Sequence, residues 1–67
     1  MIYRILKAEM ALKGVNVKDI AELLNLTAVS IYSKFAGRQT ITLDEAIKIR
    51  AYLKTDKDLD ELFEKSL

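Results

Sequence analysis

Apolar residues recur along this chain at spacings of three and four, and no segment alternates convincingly with period two. That pattern predicts helices and no sheet. The first helix should run from Ile2 to Lys13, with Ile2, Leu6 and Met10, joined by Tyr3, Ile5 and Leu12, on one broad inner stripe. A second should bury Ile20, Ala21, Leu23 and Leu24, and a third should bury Ile31 and Phe35, four residues apart. A fourth, Leu43 to about Leu53, has Leu43, Ala46, Ile47, Ile49 or Arg50, and Leu53 as candidates for its inner face. A short fifth should end near Lys65 with Leu59, Leu62 and Phe63 inward.

Polar residues mark the ends of these stripes. Gly14 and Gly37 are the only glycines, and each follows an apolar stripe where a left-handed C-cap would close a helix. Asn16 with Asp19, Thr42 with Glu45, and Asp58 with Glu61 have the spacing of a capping box, and Thr27 caps the third helix. Asn25 is placed where the second helix must turn; after glycine, asparagine best tolerates a left-handed backbone. The pattern therefore predicts one all-α, five-helix domain spanning residues 1–67, without repeats or linkers.

Composition narrows the chemistry. The chain has 67 residues, 51% of them apolar, enough for one small core. It has no cysteine and no histidine. Disulfides and thiolate metal sites are excluded, and the commonest general base is missing. With no glycine-rich loop either, neither an enzyme nor a metal or cofactor site is expected. The acidic pairs Asp44-Glu45 and Asp60-Glu61 sit at helix starts, where the dipole favours them, and are expected to cap. The N-terminal segment is interrupted by charges and reads as neither signal peptide nor membrane span. A cytoplasmic location is the expectation, and in that setting Asn25-Leu26-Thr27 is turn chemistry rather than a glycosylation site.

Charge distribution changes the picture more than net charge, which is only +1. Residues 1–42 carry Arg4, Lys7, Lys13, Lys18, Lys34 and Arg38 against Glu9, Asp19 and Glu22, a balance of +3. The remainder carries five basic and seven acidic residues, a balance of −2. From Leu23 to Leu43 there is no acid, so a phosphate backbone can approach that stretch without repulsion.

The acid-free stretch coincides with the pair of short helices. Ala21 is small where a second helix must pack closely, and Leu26 plugs the turn. Ile20, Leu24, Leu26 and Ile31 would lock the pair at a fixed angle. This is the pattern of a helix-turn-helix, here at about residues 17–36, with residues 28–36 as the recognition helix. With Gly14, Asn16, Ala21, Asn25, Leu26, Thr27, Ile31, Gly37 and Arg38 in place, the chain resembles the phage repressor and Cro type, the lambda repressor-like family, over nearly its whole length. The resemblance is greatest to small phage-encoded transcriptional regulators.

That resemblance implies a double-stranded DNA operator as ligand, a bacterial host with the protein at its nucleoid, and usually a two-fold homodimer. Carried over by position, Thr27, Ala28, Val29, Tyr32 and Ser33 would face base edges. Asn16, Val17 and Lys18 would lie over phosphates, and Lys34, Arg38, Gln39 and Thr40 would grip the backbone again. Helix N-termini and basic side chains bind phosphate on general grounds.

The chain departs from the pattern of the family it resembles at three places. Val17 stands where many have Gln, and Ala28 and Val29 stand where many have Gln or Arg. Met10 and Phe35 occupy the places of a buried Arg–Glu pair. Ala28 and Val29 can meet thymine methyl groups, with Tyr32 and Ser33 adding hydrogen bonds, so a shape- and methyl-weighted sequence preference is expected. The alternatives for Tyr32 are an ordinary exposed aromatic or a dimer contact, since aromatics are enriched at protein interfaces. The competing reading is a protein-interaction module on the same fold, an antirepressor or assembly partner that binds DNA weakly or not at all. Because the chain stops just past its last helix, a homodimer is expected to be small. It would form through exposed apolar residues of the first, fourth or fifth helix, or by DNA-assisted pairing. No membrane and no small-molecule substrate is expected as partner.

Overall fold

Four of the five helices open on a side chain that folds back onto its own first turn. A computed structural model describes residues 1–66, which form α1 (Arg4–Lys13), α2 (Val17–Leu24), α3 (Ala28–Phe35), α4 (Leu43–Leu53) and α5 (Leu59–Leu62), with no strand among them. Asn16, Thr27, Thr42 and Asp58 accept hydrogen bonds from the backbone N–H groups of Asp19, Ser30, Glu45 and Glu61, at 2.9, 3.1, 3.2 and 2.8 Å. At α2 and α4 the acid three residues on accepts the cap residue's own N–H, which completes the box. Each such cap stabilises its helix by about 1 kcal/mol. The Asp58 cap forms the forward bond, and α5 has no reciprocal one.

Helix ends also follow the sequence signals. Gly14, Asn25 and Gly37 all have positive φ, at 68°, 57° and 86°. The residue after each donates its N–H five positions back: Val15 to Met10, Leu26 to Ala21 and Arg38 to Ser33. This six-to-one bond satisfies a carbonyl that the helix itself leaves free.

Two ends differ from expectation. α1 begins at Arg4 rather than Ile2, and α5 stops at Leu62 rather than near Lys65. Ile2 donates its N–H to the Phe35 carbonyl at 3.0 Å and accepts the Ser66 N–H at 2.6 Å. The Ile2 carbonyl, which a helix begun at Ile2 would offer to its own next turn, is taken by Ser66 instead. The bridge ties both ends of the chain to the end of α3.

Every helix contributes to one core. Leu6, Ile20, Ile31, Ile49, Leu53 and Leu62 are fully buried, with Tyr3, Met10, Ala21 and Phe35 beside them. Tyr3 and Phe63 meet edge to face, with centroids 5.9 Å apart. Met10 and Phe35 both lie in this apolar core. Three expected core residues lie outside: Leu12 at 75% exposure, Leu43 at 69% and Ile47 at 49%. The buried stripe of α4 is Ala46, Ile49 and Leu53, which also decides for Ile49 over Arg50. At 3.6 residues per turn, Leu43 and Ile47 lie roughly 90° and 130° around the helix from its centre. Among the described residues no helix is long and apolar enough to cross a membrane.

Candidate nucleic-acid interface

α2 and α3 are eight residues each, joined by Asn25, Leu26 and Thr27, and packed directly on one another. Ala21 is buried in the core, and Leu26 packs against it from the turn. Burying Ile31 and Phe35 turns the opposite face of α3 outward. Ala28, Val29 and Tyr32 are exposed there, Val29 at 74% and Tyr32 at 61%.

The expected base-facing residues thus fall into two groups. Ala28, Val29 and Tyr32 are free on the outer face. Thr27 is exposed, but its hydroxyl accepts the Ser30 N–H and lies 3.3 Å from the Ser30 hydroxyl, so it is occupied in capping α3. Ser33 is half-buried on the flank.

The expected phosphate-facing residues divide in the same way. Lys18, Arg38 and Gln39 are exposed, and neither cation is ion-paired among the described residues. Asn16 is exposed, though its side-chain oxygen is committed to Asp19. Lys34 is turned inward. Its ammonium lies 3.3 Å from a Glu45 oxygen and donates to the Thr40 carbonyl at 3.0 Å, with the side chain only 12% exposed. Its charge is answered inside the fold, and its effect is to fix the loop that carries Arg38, Gln39 and Thr40.

Glu45 is held well by its surroundings. The Thr42 backbone N–H, and after it Lys34, favour the ionised form and set the carboxyl below its ordinary value of 4.5; partial burial opposes them and loses. The Thr42–Glu45 box was legible from spacing. Its link to Lys34 was not, because the two residues are joined only by the fold of the intervening loop.

Two further features escaped the sequence pattern. Glu9 is 8% exposed in the side of α1 and accepts the Thr55 hydroxyl at 2.6 Å. Thr55 in turn accepts the Lys57 N–H, and Arg50 donates to the Lys57 carbonyl. This network closes the α4–α5 loop, which begins at Lys54 with an unusual positive φ of 52°. The second feature is an open groove of about 640 Å³ between α1, the start of α2 and the end of α3, with Lys7 in its wall. Nothing in the apolar pattern of α1 marks Lys7 as different from its other surface charges.

No known protein family, curated protein or solved structure matches this chain, so its function must be read from its own residues.

Proposed function

We propose that this protein is a sequence-specific, double-stranded DNA-binding transcriptional regulator that sets α3 into the major groove. The observation that carries the reading is the outer face of α3. Ala28, Val29 and Tyr32 stand free of the core, within a stretch from Leu23 to Leu43 that holds no acid. The major groove admits an α-helix, and a face of small and aromatic residues suits thymine methyl groups and base edges. Lys18 at the start of α2 and Arg38 beyond α3 flank that face as phosphate contacts. Lys34 supports the same role indirectly, by holding the Arg38 loop in place.

Fluorescence anisotropy of a labelled duplex at two salt concentrations tests this. Phosphate contacts release counterions, so log affinity should fall against log salt with a slope of about −0.9 per phosphate neutralised. Arg38→Gln should make the slope shallower by about one. Absence of duplex binding at low salt would sink the proposal.

A second reading draws on the same face. Val29 and Tyr32 are large, apolar and exposed, as residues at protein contacts often are. An interaction module would use them against a protein partner, and its binding would persist at salt concentrations that abolish phosphate contacts.

A further inference from the structure

The groove beside the helix pair differs in character from the DNA-facing surface. Buried Met10 and Phe35 and half-buried Val17 make its floor apolar. Lys7 and Arg38 stand in its wall, and Tyr32 forms the side shared with the outer face of α3. No acid lines it, and neither cation is ion-paired among the described residues.

We propose that this groove binds a small amphipathic anion, a free molecule with an apolar body and one carboxylate- or sulfonate-like group. Its volume falls in the range of small-molecule sites, which are mainly apolar with a few polar groups that fix orientation. The apolar floor gives sugars and nucleotides few hydrogen-bond partners. The two cations answer a single negative charge by charge-assisted hydrogen bonds, which a neutral or cationic ligand cannot form. Bound there, the ligand adjoins Tyr32 and Arg38. Resting on the DNA reading, the consequence is regulatory: an anion at that wall repels the phosphates Arg38 would otherwise meet, and duplex affinity falls. Thermodynamic linkage makes the effect reciprocal, so duplex weakens the anion by the same factor.

The probe is 8-anilinonaphthalene-1-sulfonate, whose emission rises in apolar surroundings, compared with N-phenyl-1-naphthylamine, which keeps the rings and lacks the sulfonate. The expected result is one dye per chain, with amide shifts confined to α1, the start of α2 and the end of α3. Ala11 lines the groove and is exposed, so Ala11→Trp fills the site without entering the core. Ala11→Trp should weaken the dye at least about tenfold. Lys7→Gln with Arg38→Gln should weaken the sulfonate about tenfold and leave the neutral amine unchanged. Far-UV circular dichroism and the thermal midpoint check that each variant is folded.

Dye binding that is absent, that survives Ala11→Trp, or that is equally tight for the neutral amine overturns the proposal. Binding that falls as protein concentration rises overturns it too, since a second copy of the chain then fills the groove. The duplex is a separate arm. Duplex that binds and is unaffected by dye overturns the regulatory step alone. Duplex that never binds overturns the DNA reading and leaves the dye titration to decide the site.

Discussion

Lys34 on α3 and Glu45 on α4 meet at 3.3 Å across the loop that joins their helices, and the same Lys34 ammonium donates to the Thr40 carbonyl within that loop. Both side chains are mostly covered. The pair therefore loses less to solvent screening than an exposed ion pair, whose worth is about 0–1 kcal/mol. Lys34→Met should destabilise the fold by about 1 kcal/mol, a drop of roughly 4–8 °C in the thermal midpoint for a domain this size. Differential scanning calorimetry reads it directly.

The same pair predicts a pH dependence. Thr42 and Lys34 hold the Glu45 carboxyl below its ordinary 4.5 in the folded state. A depressed folded value means that the unfolded chain binds the proton first as pH falls. The stabilisation is complete above pH 4.5 and is lost as pH drops through the lowered folded value. Glu45→Gln should remove part of the acid-side slope of stability. Urea midpoints at a series of pH values from neutral downward would show whether the variant and the parent converge in acid.

Thr55→Val tests the link between α1 and the α4–α5 loop. The Glu9 carboxylate loses its hydroxyl partner at a site where it is 8% exposed. A buried acceptor left unsatisfied costs about 1–3 kcal/mol. The loss should fall mainly on α1 and the α4–α5 loop, where amide hydrogen exchange would accelerate. Unchanged exchange at α1 would show that Glu9 is satisfied by water.

How far these features were legible depends on how local they are. The Asn16–Asp19 and Thr42–Glu45 boxes, and the turns at Gly14, Asn25 and Gly37, depend on neighbouring residues only, and their positions follow from spacing. Leu43 and Ile47 misled because the five apolar candidates of α4 fit more than one stripe, and only its packing partners select Ala46, Ile49 and Leu53. The Ile2 bridge to Phe35 and Ser66 joins residues from both termini and the middle of the chain, so no window of sequence contains it. The α3 face was legible as a set, because burial of Ile31 and Phe35 leaves Ala28, Val29 and Tyr32 outside. What Lys34 does was not, since Glu45 and the Thr40 carbonyl claim it and the helical period reveals neither partner.

Ala21→Leu addresses the helix pair itself. Ala21 is 6% exposed where α2 faces its neighbours, and extra methylenes in a packed interior cost about 1–3 kcal/mol. The added bulk has to shift α2 against the helices packed on it, α3 and α4, and so change the angle of the pair. Duplex binding, under the proposed function, should weaken more than the stability loss explains when measured well below the variant's melting temperature. Equal losses would mean that the angle between the helices does not matter to the ligand.

The outer face of α3 makes the sharpest prediction about specificity. Ala28 and Val29 have no hydrogen-bonding side chain, and the Thr27 hydroxyl is occupied at the cap. Direct readout then falls to methyl contacts from Ala28 and Val29 and to the Tyr32 hydroxyl. Selection from a random duplex library should return a site in which A·T positions dominate beneath α3, because only thymine offers a methyl group in the major groove. Ala28→Ser and Val29→Thr should change the preferred base at one position each, since each adds a hydroxyl to an apolar contact. Tyr32→Phe should relax one position without shifting its neighbours, at about 1 kcal/mol for a lost hydrogen bond. If all three variants select the parent site unchanged, α3 is not the element that reads the sequence, and the face serves a protein partner instead.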